Sequence, residues 1–171
     1  MKRSLICFII FTLILTASAY AEPPVDVAGT VYEEAVVLLK TLDIMKGYDD
    51  GYFEPDDVLT RAEFAAVIAR IVSMQGFLIT GDNLFGDVDE EYWAYSEIAS
   101  VVRHGYMAGY GNGNFGPEDF VTYDQAIKVM INMLGYQLYA EQKGGYPGGN
   151  SIVAAEKGQS LRVRSFRFRS E

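Results

Sequence analysis

Pairs of adjacent carboxylates are the side chains in this chain whose spacing could support catalysis. Asp56 and Asp57 form one pair, and Glu90 and Glu91 form another. Two carboxylates can serve as general acid and general base, but these lie in expected loops or at a helix start, where solvated or capping acids are common. The one histidine, His104, has no second His or Cys near it in the sequence. The sequence therefore favours a protein that is not an enzyme and uses no cofactor.

Carboxylates also cluster around Gly51, in a segment that resembles a calcium-binding loop in composition. Asp49, Asp50 and Glu54 are the nearest acids. A calcium loop needs oxygen ligands at alternating positions ahead of its central glycine, and Lys46 stands where the first ligand would be. We therefore predict no metal site here and expect the segment to form a turn.

The same loop sequence occurs twice, 62 residues apart. Residues 47–55 have the sequence GYDDGYFEP, and residues 109–117 have the sequence GYGNGNFGP. An internal repeat at fixed spacing defines the folding unit of a chain. We expect the aromatic residues Phe53 and Phe115 to pack as apolar plugs beneath these turns. The repeat predicts an array of helix–loop–helix units, which favours binding over catalysis.

Amphipathic segments flank both loops. Apolar residues recur at steps of three and four in the segments 35–45, 64–72, 93–102 and 126–134. The helices ahead of the loops are expected to end at glycines, Gly47 in the first unit and Gly105 or Gly109 in the second. We therefore predict an all-α fold of helical hairpins joined by short loops.

The predicted hairpins span about residues 31–74 and 93–135. A third unit, incomplete, is expected after residue 145. Stacked repeats bury their apolar faces on their neighbours, so an incomplete array should leave apolar surface exposed.

Each helix after a loop begins with a capping box. Thr60 with Glu63, and Thr122 with Gln125, have the T-x-x-E/Q spacing that joins a side-chain oxygen to the N3 amide and the N3 side chain to the cap amide. These four residues are therefore expected to be structural caps. Arg61 is different, because a cation at the first helical position opposes the helix dipole. Neither the cap nor the core needs this cation, which indicates a functional role for Arg61. A structural salt bridge to a nearby Asp or Glu is the alternative.

The first 21 residues are predicted to be a secretory signal peptide. Lys2 and Arg3 precede an apolar run at residues 5–15, and small residues suitable for cleavage follow. A membrane anchor is the alternative, but a spanning helix needs about 20 apolar residues. Because Cys7 lies in this peptide, the exported chain has no cysteine and no disulfide, and we expect no transmembrane segment in it.

Charge is distributed unevenly along the rest of the chain. Residues 22–160 contain 22 acids against 8 Lys and Arg, a net charge of −14, with no basic stripe for nucleic acid. An anionic ligand would have to be held by a few local donors. Residues 161–171 instead contain four arginines and form an atypical basic tail, expected to be disordered. We interpret it as an out-of-register end or a gene fragment, with a genuine basic tail as the alternative.

These motifs resemble the S-layer homology (SLH) family. They occur in the order that the family shows: Phe85-Gly86-Asp87-Val88, Trp93-Ala94, the Gly-Tyr loop 109–117 and, in the first unit, Thr60-Arg61-Ala62-Glu63. The resemblance covers roughly residues 25–136. It departs from the pattern at Val31, near the family's Trp position, and at Tyr123, in place of the family's Arg.

The resemblance divides the chain after its signal peptide. Residues 22–76 are expected to be SLH repeat 1, residues 77–136 SLH repeat 2, and residues 137–160 a partial third repeat. The fold expected from the family is a helical bundle, usually of three repeats arranged with pseudo-threefold symmetry.

The resemblance also implies a ligand site. In the family, grooves between adjacent repeats hold secondary cell-wall polysaccharide, often with pyruvylated sugars. By position, Arg61 would be the carboxylate clamp, and Asp87, Trp93 and Gly109 would line the groove. Core packing is the alternative for Trp93. The second repeat, with Tyr123, is expected to bind ligand weakly or not at all.

The predicted function is therefore a non-catalytic, secreted module that attaches to the cell wall at the bacterial surface. Its expected partner is cell-wall polysaccharide, with other surface-layer subunits as a second possibility and no nucleic acid. One alternative is a structural module of a surface layer that binds other proteins. Another is a non-functional fragment of a larger SLH-anchored protein.

Overall fold

The computed structural model describes residues 21–74, 76 and 85–167, with side chains described up to residue 158. The predicted signal peptide lies outside these residues except for its last position. The described residues contain helices and no strand, which confirms the predicted all-α fold. The helices are α1 (Glu33–Thr41), α2 (Arg61–Met74), α3 (Tyr95–Arg103), α4 (Tyr123–Met133), α5 (Gln137–Gln142) and α6 (Gly148–Arg167).

The chain divides into two compact units, Met1–Asp57 and Val58–Glu171. The first unit contains α1 and the first loop, and the second unit contains α2 to α6. The boundary lies inside the predicted repeat 22–76, between its loop and its second helix. Among the described residues, no helix is long and apolar enough to cross a lipid bilayer.

Helices in the second unit pair across the sequence repeats. The second helix of repeat 1, α2, packs on α3, the first helix of repeat 2. In the same way α4 packs on α6, and the short α5 packs on both. The backbones of α3 and α4 do not pack directly, although these helices were predicted to form the hairpin 93–135. The long loop between them separates the two helices, so each one finds its partner in a neighbouring repeat.

Two apolar clusters hold the second unit together. The larger one joins α2, α3 and α4 around Ile68, Ile98 and Phe115. Phe115 is fully buried, which confirms its predicted role as a plug, while Phe53 of the first loop is half-buried. The smaller cluster packs α6 against α4 through Val153, Ile131 and neighbouring residues. The segment predicted to form a third repeat is therefore packed against repeat 2.

Helices α1, α3 and α4 end in the same way. Asp43, Gly105 and Gly135 each adopt a positive φ two residues after the last helical residue, with φ values of 55°, 72° and 74°. In each case the next amide donates to the carbonyl five residues earlier, as in a Schellman motif. The prediction that Gly47 ends the first helix is wrong, because Asp43 adopts the left-handed conformation and α1 ends at Thr41.

The two repeated loops share one hydrogen-bond pattern. The Tyr48 amide donates to the Tyr52 carbonyl at 2.9 Å, and the Tyr110 amide donates to the Asn114 carbonyl at 2.9 Å. Gly47 is required inside the first loop, because a Cβ there would lie 2.6 Å from the Tyr52 carbonyl oxygen. The repeat in sequence is thus a repeat in backbone structure.

One position distinguishes the two loops. Glu54 has a φ of 52°, and the corresponding residue in the second loop is Gly116, with a φ of 72°. A residue with a side chain is strained in this left-handed region by about 1–2 kcal/mol, whereas glycine is not.

Replacing Glu54 with Gly is therefore expected to stabilise the protein. The relieved strain exceeds the extra chain entropy that glycine loses, about 0.5–1 kcal/mol, so the free energy of unfolding should rise by about 0.5–1 kcal/mol. Urea denaturation followed by circular dichroism measures the change. Asp56→Gly is the control, since Asp56 does not have a positive φ, and it should lower stability. A Glu54→Gly chain no more stable than Asp56→Gly would contradict the assignment of strain.

Candidate ligand cleft

Asp87 holds the second loop by its backbone. Its two carboxylate oxygens accept the Phe115 amide at 2.8 Å and the Gly116 amide at 2.7 Å. Asp26 holds the first loop in the same way, by accepting the amides of residues 53–54. Asp87 was predicted to line the ligand groove. In the structure its carboxylate is engaged with the loop that forms the groove.

These amide bonds change the acidity of both carboxyl groups. Partial desolvation raises the pKa of Asp87, but the Phe115 and Gly116 amides and the positive charge of Arg61 outweigh it, so the pKa lies below its ordinary value. The pKa of Asp26 is also lowered, because the first-loop amides and Lys40 outweigh desolvation. Both loops are therefore held most firmly when the aspartates are ionised.

Arg61 is buried and bonded to the second loop. Its exposed fraction is 5%. Nε donates to the Phe115 carbonyl at 2.9 Å, and Nη2 donates to the Ala108 carbonyl at 2.8 Å. The guanidinium lies 4.5 Å from the Phe115 ring centre and 4.8 Å from that of Tyr110. The prediction that the core does not need Arg61 is therefore wrong. The salt bridge to a nearby acid, which was the alternative to a functional role, is replaced by hydrogen bonds to backbone carbonyls.

The start of α2 is bonded to the same loop through its backbone. The Arg61 amide donates to the Asp119 carbonyl at 2.8 Å, and the Ala62 amide donates to the Pro117 carbonyl at 3.0 Å. The Val121 amide returns a bond to a carbonyl just ahead of the helix. These carbonyls satisfy two of the amides that a helix start leaves unpaired, and they fix the position of Arg61.

Both predicted capping boxes are present. The Thr60 amide donates to Glu63 Oε2 at 2.8 Å, and the Glu63 amide donates to Thr60 Oγ1 at 3.2 Å. The Thr122 amide donates to Gln125 Oε1 at 3.2 Å, and the Gln125 amide donates to Thr122 Oγ1 at 3.3 Å. These four side chains set where α2 and α4 begin.

A cleft of about 600 Å³ opens beside Arg61 in the second unit. Residues from repeat 1, from repeat 2 and from the predicted third repeat all contribute to its walls. Its lining includes Arg61, Gly109, Lys128, Asn132, Tyr146 and Asn150. The cleft therefore lies where three sequence units meet, which is where a repeat array can build a site.

The cleft contains two of the four predicted ligand residues. Arg61 and Gly109 line it. Gly109 is required, because a Cβ would lie 2.6 Å from the Asn114 carbonyl oxygen and would overlap the Phe85 ring. Trp93 does not line the cleft. It is 56% exposed, so the alternative that it packs in the core is wrong, and its role in ligand binding stays a prediction.

Sequence reasoning missed the wall formed by α4 and the third unit. Lys128 and Asn132 lie on one face of α4 with the capping residue Gln125, at helical spacings of three and four. This spacing, in a chain with few cations, was the signal that could have identified Lys128. Tyr146 and Asn150 lie in the predicted third repeat, where no motif marks them.

The cleft is locally cationic in an acidic chain. The net charge of the chain is −9, yet Arg61 and Lys128 both face this cleft, with Glu141 as the acid on its lining. Lys128 Nζ lies 5.2 Å from the Tyr146 ring centre. Such a site suits a ligand with a carboxylate and an apolar face. The described residues contain no group of His, Cys, Asp or Glu placed to hold a metal ion.

Comparison with protein families agrees with this geometry. Residues 25–65 and 84–127 match the family model described as the S-layer homology domain. The chain carries two S-layer homology repeats. The first SLH match contains Asp26 and Arg61, and the second contains Asp87 and Gly109, so each match includes an aspartate that holds a loop.

Several curated proteins are similar to the SLH chain. A surface layer protein of Brevibacillus choshinensis is 30% identical over 143 residues, which are 82% of this chain and 12% of that protein. A cell surface protein of Thermoanaerobacter kivui is 28% identical over 133 residues, 75% of this chain and 18% of that protein. A cellulosome-anchoring protein of Acetivibrio thermocellus is 29% identical over 102 residues, 58% of this chain and 23% of that protein.

The chain therefore spans less than a quarter of the length of these relatives. The family and the surface proteins that match it indicate the cell surface as the location of the SLH chain, as the sequence motifs predicted. The family match identifies a non-catalytic anchoring module, and the paired carboxylates Asp56, Asp57, Glu90 and Glu91 are all exposed.

Acid should release the second loop through Asp87. Because the pKa of Asp87 is lowered on folding, its contribution to stability is complete above the unfolded value of about 3.9 and is lost as the pH falls through the lower folded value. Asp87→Asn should be less stable than the parent at pH 7, and the difference should shrink below about pH 4.

Urea denaturation at several pH values measures this difference. Asp89→Asn is the control, because among the described residues the Asp89 carboxylate accepts a bond only from the nearby Glu91 amide. A difference between Asp87→Asn and the parent that stays constant from neutral to acidic pH would show that ionised Asp87 does not hold the loop.

Proposed function

We propose that the SLH chain attaches to the cell envelope by binding secondary cell-wall polysaccharide in the cleft beside Arg61. The ligand group would be a carboxylate on a sugar, as in a pyruvate ketal. The placement of Arg61 and Lys128 on one cleft of a strongly acidic chain carries the proposal. The name of one relative, a cellulosome-anchoring protein, supports attachment as the general role.

Arg61 would bind the acid with the part of its guanidinium that the loop leaves available. Nε and Nη2 donate to loop carbonyls, and Nη1 makes no hydrogen bond to the described residues. The loop occupies two of the five N–H donors of the guanidinium, and Lys128 would add a second cationic contact to the acid. Two cations on one carboxylate would give charge-assisted hydrogen bonds, which are stronger than neutral ones.

Aromatic rings beside the cations would hold the sugar ring itself. Tyr110 and Tyr146 both line the cleft, and each is 51% exposed. The face of an aromatic ring packs against the C–H face of a sugar while the sugar hydroxyls stay accessible. Trp93 lies outside this cleft and has no part in the proposed contact.

A second candidate function is binding to other surface proteins through the first unit. Val31, Leu38 and Leu42 are exposed on or beside α1, and Val31 has an exposed fraction of 90%. Exposed apolar residues in a group favour contact with another protein. The names of the surface-layer relatives are compatible with such contacts, but the cleft of the second unit favours carbohydrate attachment as the primary role.

Lys128→Gln is expected to weaken attachment about ten- to a hundredfold, since a hydrogen bond to a charged group contributes about 1.5–3 kcal/mol. Lys128 is exposed, so its replacement tests the ligand site without disturbing the buried loop contacts of Arg61. Pelleting of the purified chain with cell walls that carry pyruvylated polysaccharide measures the affinity.

Two controls separate binding from general charge effects. Lys46→Gln removes an exposed lysine in the first unit, whose partner is Asp43, and should pellet like the parent. Walls treated with mild acid, which cleaves pyruvate ketals, should no longer retain the parent chain. Equal pelleting of Lys128→Gln and the parent, or full retention on acid-treated walls, would refute the proposal.

A further inference from the structure

Asn150 lies at the edge of the ligand cleft, and its side-chain amide has no hydrogen-bond partner among the described residues. Its exposed fraction is 6%, and it lines the cleft as part of the third unit. Its side-chain oxygen and nitrogen make no hydrogen bond to any residue that the structure describes, and they are not sealed from solvent. A largely buried residue whose amide has no protein partner and stays accessible at a cleft is available to a ligand group there.

The fold fixes Asn150 at this position. It lies in the first turn of α6, directly after Gly149. Gly149 contacts the carbonyl of Ala140 so closely that a Cβ would overlap it, which sets the approach of α6 to α5. Three residues further along, Val153 is fully buried against α4. The amide is therefore presented by a packed helix, as a specificity residue requires.

The chemistry of Asn150 differs from that of the other polar residues in the cleft. Arg61 and Lys128 are cations that bind an acid, and neither can accept a hydrogen bond. The carboxamide of Asn150 is neutral, and it both donates and accepts. Two adjacent sugar hydroxyls match it, because one can donate to its oxygen while the other accepts from its nitrogen.

We propose that Asn150 binds the ring hydroxyls of the sugar whose acid is held by Arg61 and Lys128. This inference rests on the proposed function and assigns the sugar ring to a different residue from its acid. It also gives the segment after residue 136 a role in binding. This segment would complete the cleft formed by the two repeats before it.

Two small probes with the same acid test this division. One is methyl glucoside with a 4,6-linked pyruvate ketal, which has two free ring hydroxyls. The other is 2,2-dimethoxypropanoate, which has the ketal acid and no hydroxyl. Ligand-observed NMR titration of the exported chain gives both affinities. Asn150→Ala should weaken the glucoside about three- to tenfold, the range expected for one or two neutral hydrogen bonds, and should leave the acid probe unchanged.

Control variants separate binding from folding. Ile152→Ala changes a partly exposed residue on the same helix outside the cleft lining and should bind both probes like the parent. Asn150→Ser keeps a donor and an acceptor on a shorter side chain and should bind the glucoside with intermediate affinity. Thermal melts of each variant report any loss of structure, and Asn150→Ser serves as the test if Asn150→Ala unfolds.

The outcomes distinguish this inference from the proposed function. Unchanged affinity of Asn150→Ala for the glucoside, or an equal loss for both probes, would overturn the role of Asn150 while the parent still binds walls. Binding of the parent to walls but to neither probe would also overturn it. A parent that binds neither walls nor probes would overturn the proposed function and the inference together.

Discussion

The second unit depends on one buried guanidinium. Arg61 starts the second helix of repeat 1, and its two side-chain bonds go to carbonyls at either end of the loop of repeat 2. A buried cation without such partners would strongly destabilise the fold. Here the loop carbonyls and the ring of Phe115 surround it, and ionised Asp87 adds a favourable charge. Arg61 adds to the contacts that hold this loop, and the loop carbonyls in turn satisfy the buried guanidinium.

Because of this contact, the structure is held together mainly by packing across the boundary between the two repeats. The arginine of one repeat fixes the loop of the next, so α2 packs on α3 and the cleft opens where the repeats meet. The corresponding residue 62 positions later is Tyr123, which is 74% exposed and makes no such contact. The third unit is therefore attached in another way, through the apolar residues Ile131 and Val153. It still supplies a wall of the cleft.

Local features of this chain could be predicted from sequence, and long-range partners could not. Capping boxes, turn glycines and the Phe115 plug depend on residues close together in the chain, so their motifs identify them. The burial of Arg61 depends on bonds to carbonyls about 50 residues away in sequence, and the pairing of α2 with α3 joins two different repeats, which a repeat pattern does not define. Sequence placed the end of α1 at Gly47, because it could not show that Asp43 adopts a positive φ.

Amide hydrogen exchange in the second loop, measured after replacement of Arg61, tests most directly whether Arg61 holds that loop. The Phe115 and Gly116 amides are protected in the parent by Asp87. Arg61→Ala leaves two loop carbonyls without partners, at a cost of about 1–3 kcal/mol each, so these amides should exchange at least about tenfold faster. Tyr123→Ala, at the corresponding position of repeat 2, should leave them unchanged. Equal protection in both variants would contradict the claim that Arg61 holds the loop and builds the cleft.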